Sequence, residues 1–200
     1  MEEQIKIHFL GDSPVGKTTI VQLAFEKKNE IETIPTAGFA FTSKKMKIKE
    51  KQYSILLWEI HGGNMFLPVL PMYLKDTNIV VFIYDYTNEQ TFNDLDLYIN
   101  KAQSVDPDSK LTKVLISNEL HQSPRKVSRE EGIKKAKEIG AMFTEVSCIT
   151  RSGMDDLFEN IVEYHLSNNG QTTKTPDKPQ DKPNNLGASV KRREEVCFIQ

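Results

Sequence analysis

Gly11-Asp12-Ser13-Pro14-Val15-Gly16-Lys17-Thr18 fits the pattern G-x-x-x-x-G-K-[ST]. In such a turn successive backbone N–H groups curl around a β-phosphate, and the lysine reaches toward the β and γ oxygens. The hydroxyl at the last position ligates Mg²⁺, and the mouth of the following helix adds its positive dipole. The context agrees with the motif. Ile5-Lys6-Ile7-His8-Phe9-Leu10 is an apolar run of strand length that stops at the glycine, and a helical pattern follows from Lys17 to about Lys28. Ser13, Val15, Gly16, Lys17, Thr18 and Thr19 are therefore the candidate phosphate-binding residues, with Thr18 also a metal ligand. Pro14 is unusual in this loop. It has no N–H, so one donor that could face the β–γ bridging oxygen is missing, and losing such a preorganised donor can cost about 3 kcal/mol of barrier. The alternative is that the ring only stiffens the turn.

Outward from the loop, strand-like and helix-like segments alternate. Residues 39–48 and 53–58 read as an antiparallel pair joined by a Lys/Glu turn. Residues 79–84 are a dense β-branched run of the kind buried on both faces. Helical stretches at 89–103, 129–139 and 153–166 alternate with strands at 113–116 and 142–146. The pattern predicts an α/β P-loop NTPase fold, with a mostly parallel six-stranded sheet and helices on both faces. One domain over residues 1–166 is expected, followed by a disordered tail over 167–200, where Asn, Thr, Lys, Asp and Pro leave almost nothing to bury.

Bulk properties narrow the function. A net charge of −2, with no basic helix interleaved with aromatics, argues against a nucleic-acid partner. Two cysteines, Cys148 and Cys197, are too few for a disulfide framework and suit a reducing cytosol. The acidic start Met1-Glu2-Glu3-Gln4 is unlike a secretory signal, and no apolar stretch nears the roughly 20 residues that span a bilayer. A protein neither secreted nor membrane-spanning is expected. His8, His61 and His165 are too scattered to suggest a metal centre.

With these landmarks the chain resembles a Ras-superfamily small GTPase of the Rab branch. Thr36, in Thr33-Ile34-Pro35-Thr36-Ala37-Gly38, matches the family's switch I threonine in its spacing from Lys17. Trp58-Glu59-Ile60-His61-Gly62-Gly63 occupies the place of W-D-T-A-G-Q, and Phe66 and Tyr73 fall where Rab proteins carry switch II aromatics. Tyr84-Asp85-Tyr86-Thr87, with Thr91-Phe92 beyond, is similar to the stretch after the fourth strand. The resemblance spans about residues 4–166. It implies GTP/GDP and Mg²⁺ as ligands, with Thr36 completing the metal shell and Gly62 offering its N–H to the γ-phosphate. It also implies effector proteins reading the segments around Thr36 and Gly62, which order when a triphosphate is bound.

Several family motifs are changed, each with its own chemical meaning. Gly63 stands where a glutamine orients the attacking water, so hydrolysis is expected to be slow and the chain is at best a slow GTPase. Glu59 replaces an aspartate of the metal site. It either serves the ion, directly or through a shifted backbone, or is a solvated carboxylate at a strand end. Ser117-Asn118-Glu119-Leu120-His121 replaces N-K-x-D, so the carboxylate that accepts guanine N1–H and N2–H₂ together is absent. Asn29 replaces an aromatic that packs on the base. Asn118, Ser147 and Cys148 remain as base-binding candidates, the last two equally readable as a plain strand–helix turn.

Cys197-Phe198-Ile199-Gln200 fits C-a-a-X, with the final glutamine favouring a farnesyl group on Cys197. One prenyl chain anchors weakly. Lys191-Arg192-Arg193 adds charge that Glu194 and Glu195 partly offset, so reversible attachment to the cytoplasmic face of a membrane is expected, with a soluble cytosolic pool. Two functions stand out. One is a monomeric, slow, Rab-like GTP-binding switch in vesicle traffic or signalling. The other is a pseudo-GTPase scaffold that binds nucleotide weakly or without hydrolysis. A P-loop kinase or ATPase has little support.

Overall fold

The computed structural model describes residues 3–25, 32–36, 38–63, 65–106, 108, 110–169 and 198–199. In chain order these form β1 (Glu3–Leu10), α1 (Lys17–Phe25), β2 (Glu32–Thr36), β3 (Phe39–Ile48) and β4 (Lys51–Ile60). There follow α2 (Leu70–Tyr73), β5 (Ile79–Asp85), α3 (Glu89–Asn93), α4 (Leu95–Val105) and β6 (Thr112–Glu119). The series ends with α5 (Arg129–Ile139), β7 (Met142–Ser147), α6 (Leu157–Asn169) and β8 (Phe198–Ile199).

The sheet runs β2-β3-β4-β1-β5-β6-β7-β8. Its central strands β4, β1, β5, β6 and β7 are mutually parallel, and β3 lies antiparallel on β4 from the Phe39–Ile60 pair to the Ile48–Lys51 pair. These are the six strands that the sequence predicts. One short strand is added at each rim: β2 antiparallel to β3, and β8 parallel to β7 through Phe143–Phe198 and Thr144–Ile199.

β5 shows why the sheet must be covered twice. All seven of its residues are buried, and period-2 geometry sends them to opposite sides. Ile79, Val81 and Ile83 join the core that receives Ile20 and Val21 of α1 and Leu157, Phe158 and Ile161 of α6. Val80, Phe82 and Tyr84 join the core built with Leu95, Tyr98 and Ile99 of α4 and Ala136 of α5. Burying an aliphatic side chain of this size contributes about 1.5–3 kcal/mol, so this one strand ties the two layers together.

The helical boundaries differ from expectation in places. The stretch predicted as one helix over 89–103 is two, α3 and α4, meeting at Asp94. Asn88 caps α3 by accepting the Gln90 N–H, and the Asp94 N–H closes it on Gln90 O. α6 begins at Leu157, later than expected, and continues past residue 166 to Asn169. The last expected turn of the first helix, residues 26–28, lies outside the described residues, as does most of the 167–200 tail. Among the described residues no helix is long and apolar enough to cross a membrane.

Candidate nucleotide site

The C-terminal ends of β1, β5, β6 and β7 share one rim of the sheet, the side on which open α/β sheets bind ligands. The loop from Gly11 to Gly16 joins β1 to α1 there. Gly16 is held close from two sides: a Cβ on it would lie 2.5 Å from Asn118 Nδ2 and 3.1 Å from Leu120 Cδ1. Only hydrogen fits that gap, so residues at the end of β6 and just beyond it brace the loop. Asn118 also donates through Nδ2 to Val15 O at 2.8 Å.

Lys17 folds back over this loop. Its ammonium donates to Gly11 O at 2.8 Å and to Asp12 O at 2.7 Å, and the side chain is buried. Burial lowers its pKa to about 8, partly offset by the Asp12 and Glu59 carboxylates. A buried cation resting on carbonyls rather than in an ion pair is poised for an incoming anion. The N–H groups of Lys17, Thr18 and Thr19 open α1, where a helix has no partners of its own to offer them. Ser13 and Pro14 differ. The Ser13 N–H donates to Asp12 Oδ1 at 2.8 Å, and the Ser13–Pro14 peptide is cis.

Beside Lys17 the Thr18 hydroxyl donates to Glu59 Oε2 at 2.6 Å. Glu59 is 5% exposed, and burial raises its pKa. This corrects one of the two expectations for Glu59: it is not a solvated carboxylate at a strand end. Both groups border a cavity of about 210 Å³ whose wall also includes Lys17, Phe39, Ala40 and His61. Two hard oxygens on one wall of this cavity suit Mg²⁺. Among the described residues no group of three or more His, Cys, Asp or Glu competes as a metal site. Thr36 closes β2 opposite Phe39, bringing its backbone to this end, while its side chain lies outside the described part.

Gly62 reaches the loop from β4. A Cβ on it would fall 2.4 Å from the Asp12 carbonyl carbon and 2.5 Å from Ser13 N. Gly63 follows at φ +126°, with its N–H donated to the Tyr98 hydroxyl at 3.1 Å. The segments around β2 and Gly62 are joined by His61 N–H to Gly38 O at 2.9 Å. Aromatic rings join them further, with Phe39 stacked on Tyr73 at 4.1 Å and edge-on to Phe66 at 5.4 Å.

At the base end, Ser147 Oγ donates to Glu119 Oε2 at 2.5 Å, and the Cys148 N–H donates to Glu119 O at 2.9 Å. Tyr86 is pushed up to about 12, by burial first and then by its hydrogen bond to Glu119. Burial also raises the Cys148 thiol, against a lowering hydrogen bond with Asn118. His121 is exposed. Asn29 lies outside the described residues.

A loop of this geometry between a parallel strand and a helix invites comparison with known nucleotide-binding families, and the Ras family model matches residues 6–167. The chain belongs to the Ras family. Its relatives place it in the Rab branch. It is similar to Ras-related protein Rab-18 of Lymnaea stagnalis, 28% identical over 85% of this chain and 87% of that protein. Ras-related protein RABC2b of Arabidopsis thaliana is 32% identical over 78% of the chain and 77% of its own length. Ras-related protein Rab-18-B of Danio rerio is 30% identical, with coverages of 83% and 81%. This Rab-like small GTPase therefore has the fold expected of it. Proteins of its family bind GTP and GDP, typically with Mg²⁺.

The residues expected at the phosphates, Ser13, Val15, Gly16, Lys17, Thr18, Thr19 and Gly62, lie in or against one loop, and the metal candidate Glu59 is bonded to Thr18. Asn118 and Cys148 lie against Gly16 of that loop, and Ser147 and Cys148 are both tied to Glu119. Three participants escaped the sequence reading. Tyr98 holds Gly63 from α4, Tyr86 holds Glu119, and Leu120 abuts Gly16. Each acts across a fold-dependent contact, so no local spacing announces it.

Proposed function

We propose that this Rab-like protein is a slow, membrane-attached nucleotide switch acting in vesicle traffic or signalling. Gly63 carries the argument for slowness. It has no side chain to orient a water, and its N–H is committed to Tyr98. Binding rests on the loop N–H groups, the Lys17 ammonium and a metal held by Thr18, Glu59 and Thr36. That metal would screen the β- and γ-phosphate charge, while Lys17 orients the same oxygens. The Phe39–Phe66–Tyr73 rings couple the two segments that effectors would read. Cys197 lies outside the described residues, and its lipidation is part of this proposal. So are the cytosolic pool and the monomeric state.

A specific observation favours the second reading, a scaffold that binds nucleotide weakly. Pro14 has no N–H and Ser13 spends its own on Asp12, so two loop donors are committed or missing. Single-turnover hydrolysis of bound GTP separates the readings. The wild type is expected to hydrolyse slowly, and the double variant Gly63→Gln with Pro14→Gly faster. An unchanged rate in that variant overturns this account of slow turnover.

A further inference from the structure

The base end of the site lacks the chemistry expected of its family. Guanine presents N1–H and N2–H₂ as adjacent donors, which a single carboxylate accepts together. The position expected to supply that carboxylate is His121, and it is exposed. Glu119 is the nearest acid in sequence, and it is already engaged. Its carboxylate accepts the Ser147 hydroxyl at 2.5 Å and also hydrogen-bonds Tyr86. Tyr86 in turn is fixed by the Arg125 guanidinium 3.7 Å above its ring, and Arg125 is paired with Glu145 at 2.9 Å. Swinging Glu119 outward to reach a base would break both of these hydrogen bonds.

The donors that would read the guanine carbonyl edge are spent inside the protein as well. The Cys148 N–H goes to Glu119 O at 2.9 Å, and Asn118 Nδ2 goes to Val15 O at 2.8 Å. Beside them stand the apolar Leu120 and Ile149, the latter at 45% exposure, and one buried acceptor without a hydrogen-bond partner, Asn118 Oδ1. Apolar contact holds a flat ring without distinguishing its hydrogen-bonding edge.

We infer that this site selects its ligand by the diphosphate tail and does not select guanine, so that adenosine and guanosine diphosphates bind comparably. The inference rests on the nucleotide-switch reading above and adds the ligand class to it. A site built to hydrogen-bond its ligand rejects analogues by about 10⁴–10⁵-fold, whereas apolar contact separates similar shapes by about 10–200-fold.

The test uses the full chain, stripped of nucleotide with EDTA and titrated with Mg²⁺ present by calorimetry. The probes are GDP, IDP, ADP and inorganic pyrophosphate. Dissociation constants for the three nucleotides within about tenfold of one another are expected, with pyrophosphate displacing each. IDP lacks the 2-amino group, so a GDP-to-IDP ratio near one reports that no acceptor reads it. A GDP preference over ADP of about a thousandfold or more overturns the inference and leaves the switch reading standing. Binding of neither nucleotide nor pyrophosphate overturns the switch reading, and this inference with it. The variant His121→Asp adds a carboxylate and is expected to raise the GDP-to-ADP preference by about tenfold or more. No change in that ratio counts against the inference.

Discussion

At the phosphate end, Lys17 rests on Gly11 O and Asp12 O at 2.8 and 2.7 Å, and a Cβ on Gly16 would strike Asn118. At the base end, Ser147 and Glu119 satisfy each other at 2.5 Å, and His121 stands exposed. Both ends lie on one rim of one sheet, yet the first retains more of its family's pattern, with Pro14, Glu59 and Gly63 as its departures. The phosphate loop offers chiefly backbone N–H groups, and Gly16, which shapes that backbone, leaves no room for a side chain. The base-end candidates are mostly side chains at strand ends, which can be exchanged while β6 and β7 stay in register from Val114–Met142 to Glu119–Ser147. Backbone recognition is tied to the fold, and side-chain recognition is not.

The contrast breaks most decisively at Lys17. Lys17→Ala should weaken GDP and ADP alike by at least about a hundredfold, because charge-assisted hydrogen bonds to the phosphates are lost. Circular dichroism checks the fold and fluorescence titration gives the affinities. Binding retained at wild-type strength would place the phosphates elsewhere.

Glu59→Gln tests the metal side of the same end. Removing a formal charge from an oxygen 2.6 Å from the Thr18 hydroxyl should raise the Mg²⁺ concentration needed to retain nucleotide by about tenfold. Nucleotide release followed over a Mg²⁺ titration reads this directly, and an unchanged midpoint removes Glu59 from the metal shell.

A smaller effect is expected from pH. The free Lys17 ammonium titrates at about 8, and a bound phosphate keeps it protonated to higher pH, so binding takes up a proton above that value. Affinity should fall by about fourfold between pH 7 and 8.5. Calorimetry in buffers of different ionisation enthalpy should show the uptake, and an affinity that rises over that range contradicts it. The sign for stability is opposite. The unfolded chain keeps the ordinary lysine value of 10.5, so the ligand-free fold gains relative stability as pH climbs from 8 toward 10.5.

Much of the architecture was legible because its signals are local. The Gly11–Thr18 spacing fixed the loop, and the unbroken β-branched run at 79–84 announced a strand covered on both faces. β2 was not legible. It is a rim strand containing Pro35, and a proline demotes any strand reading made from propensity alone. Neither was α2, which has four residues and Pro71 in its first turn. The division of α3 from α4 rests on the Asn88 cap and a single residue, Asp94, where nothing in the helical pattern stops. In the site, the motif positions could be named from spacing, but their engagements could not. That Glu119 is committed to Ser147 and Tyr86, or that Tyr98 takes the Gly63 N–H, follows only once distant segments are folded together.

The strand order carries one more implication. β2 and β8 are the opposite borders of an eight-stranded sheet, and with strands about 4.8 Å apart they stand roughly 34 Å from each other. A protein gripping the border near Thr36 would therefore meet a different edge of the sheet from the one where Phe198 and Ile199 lie.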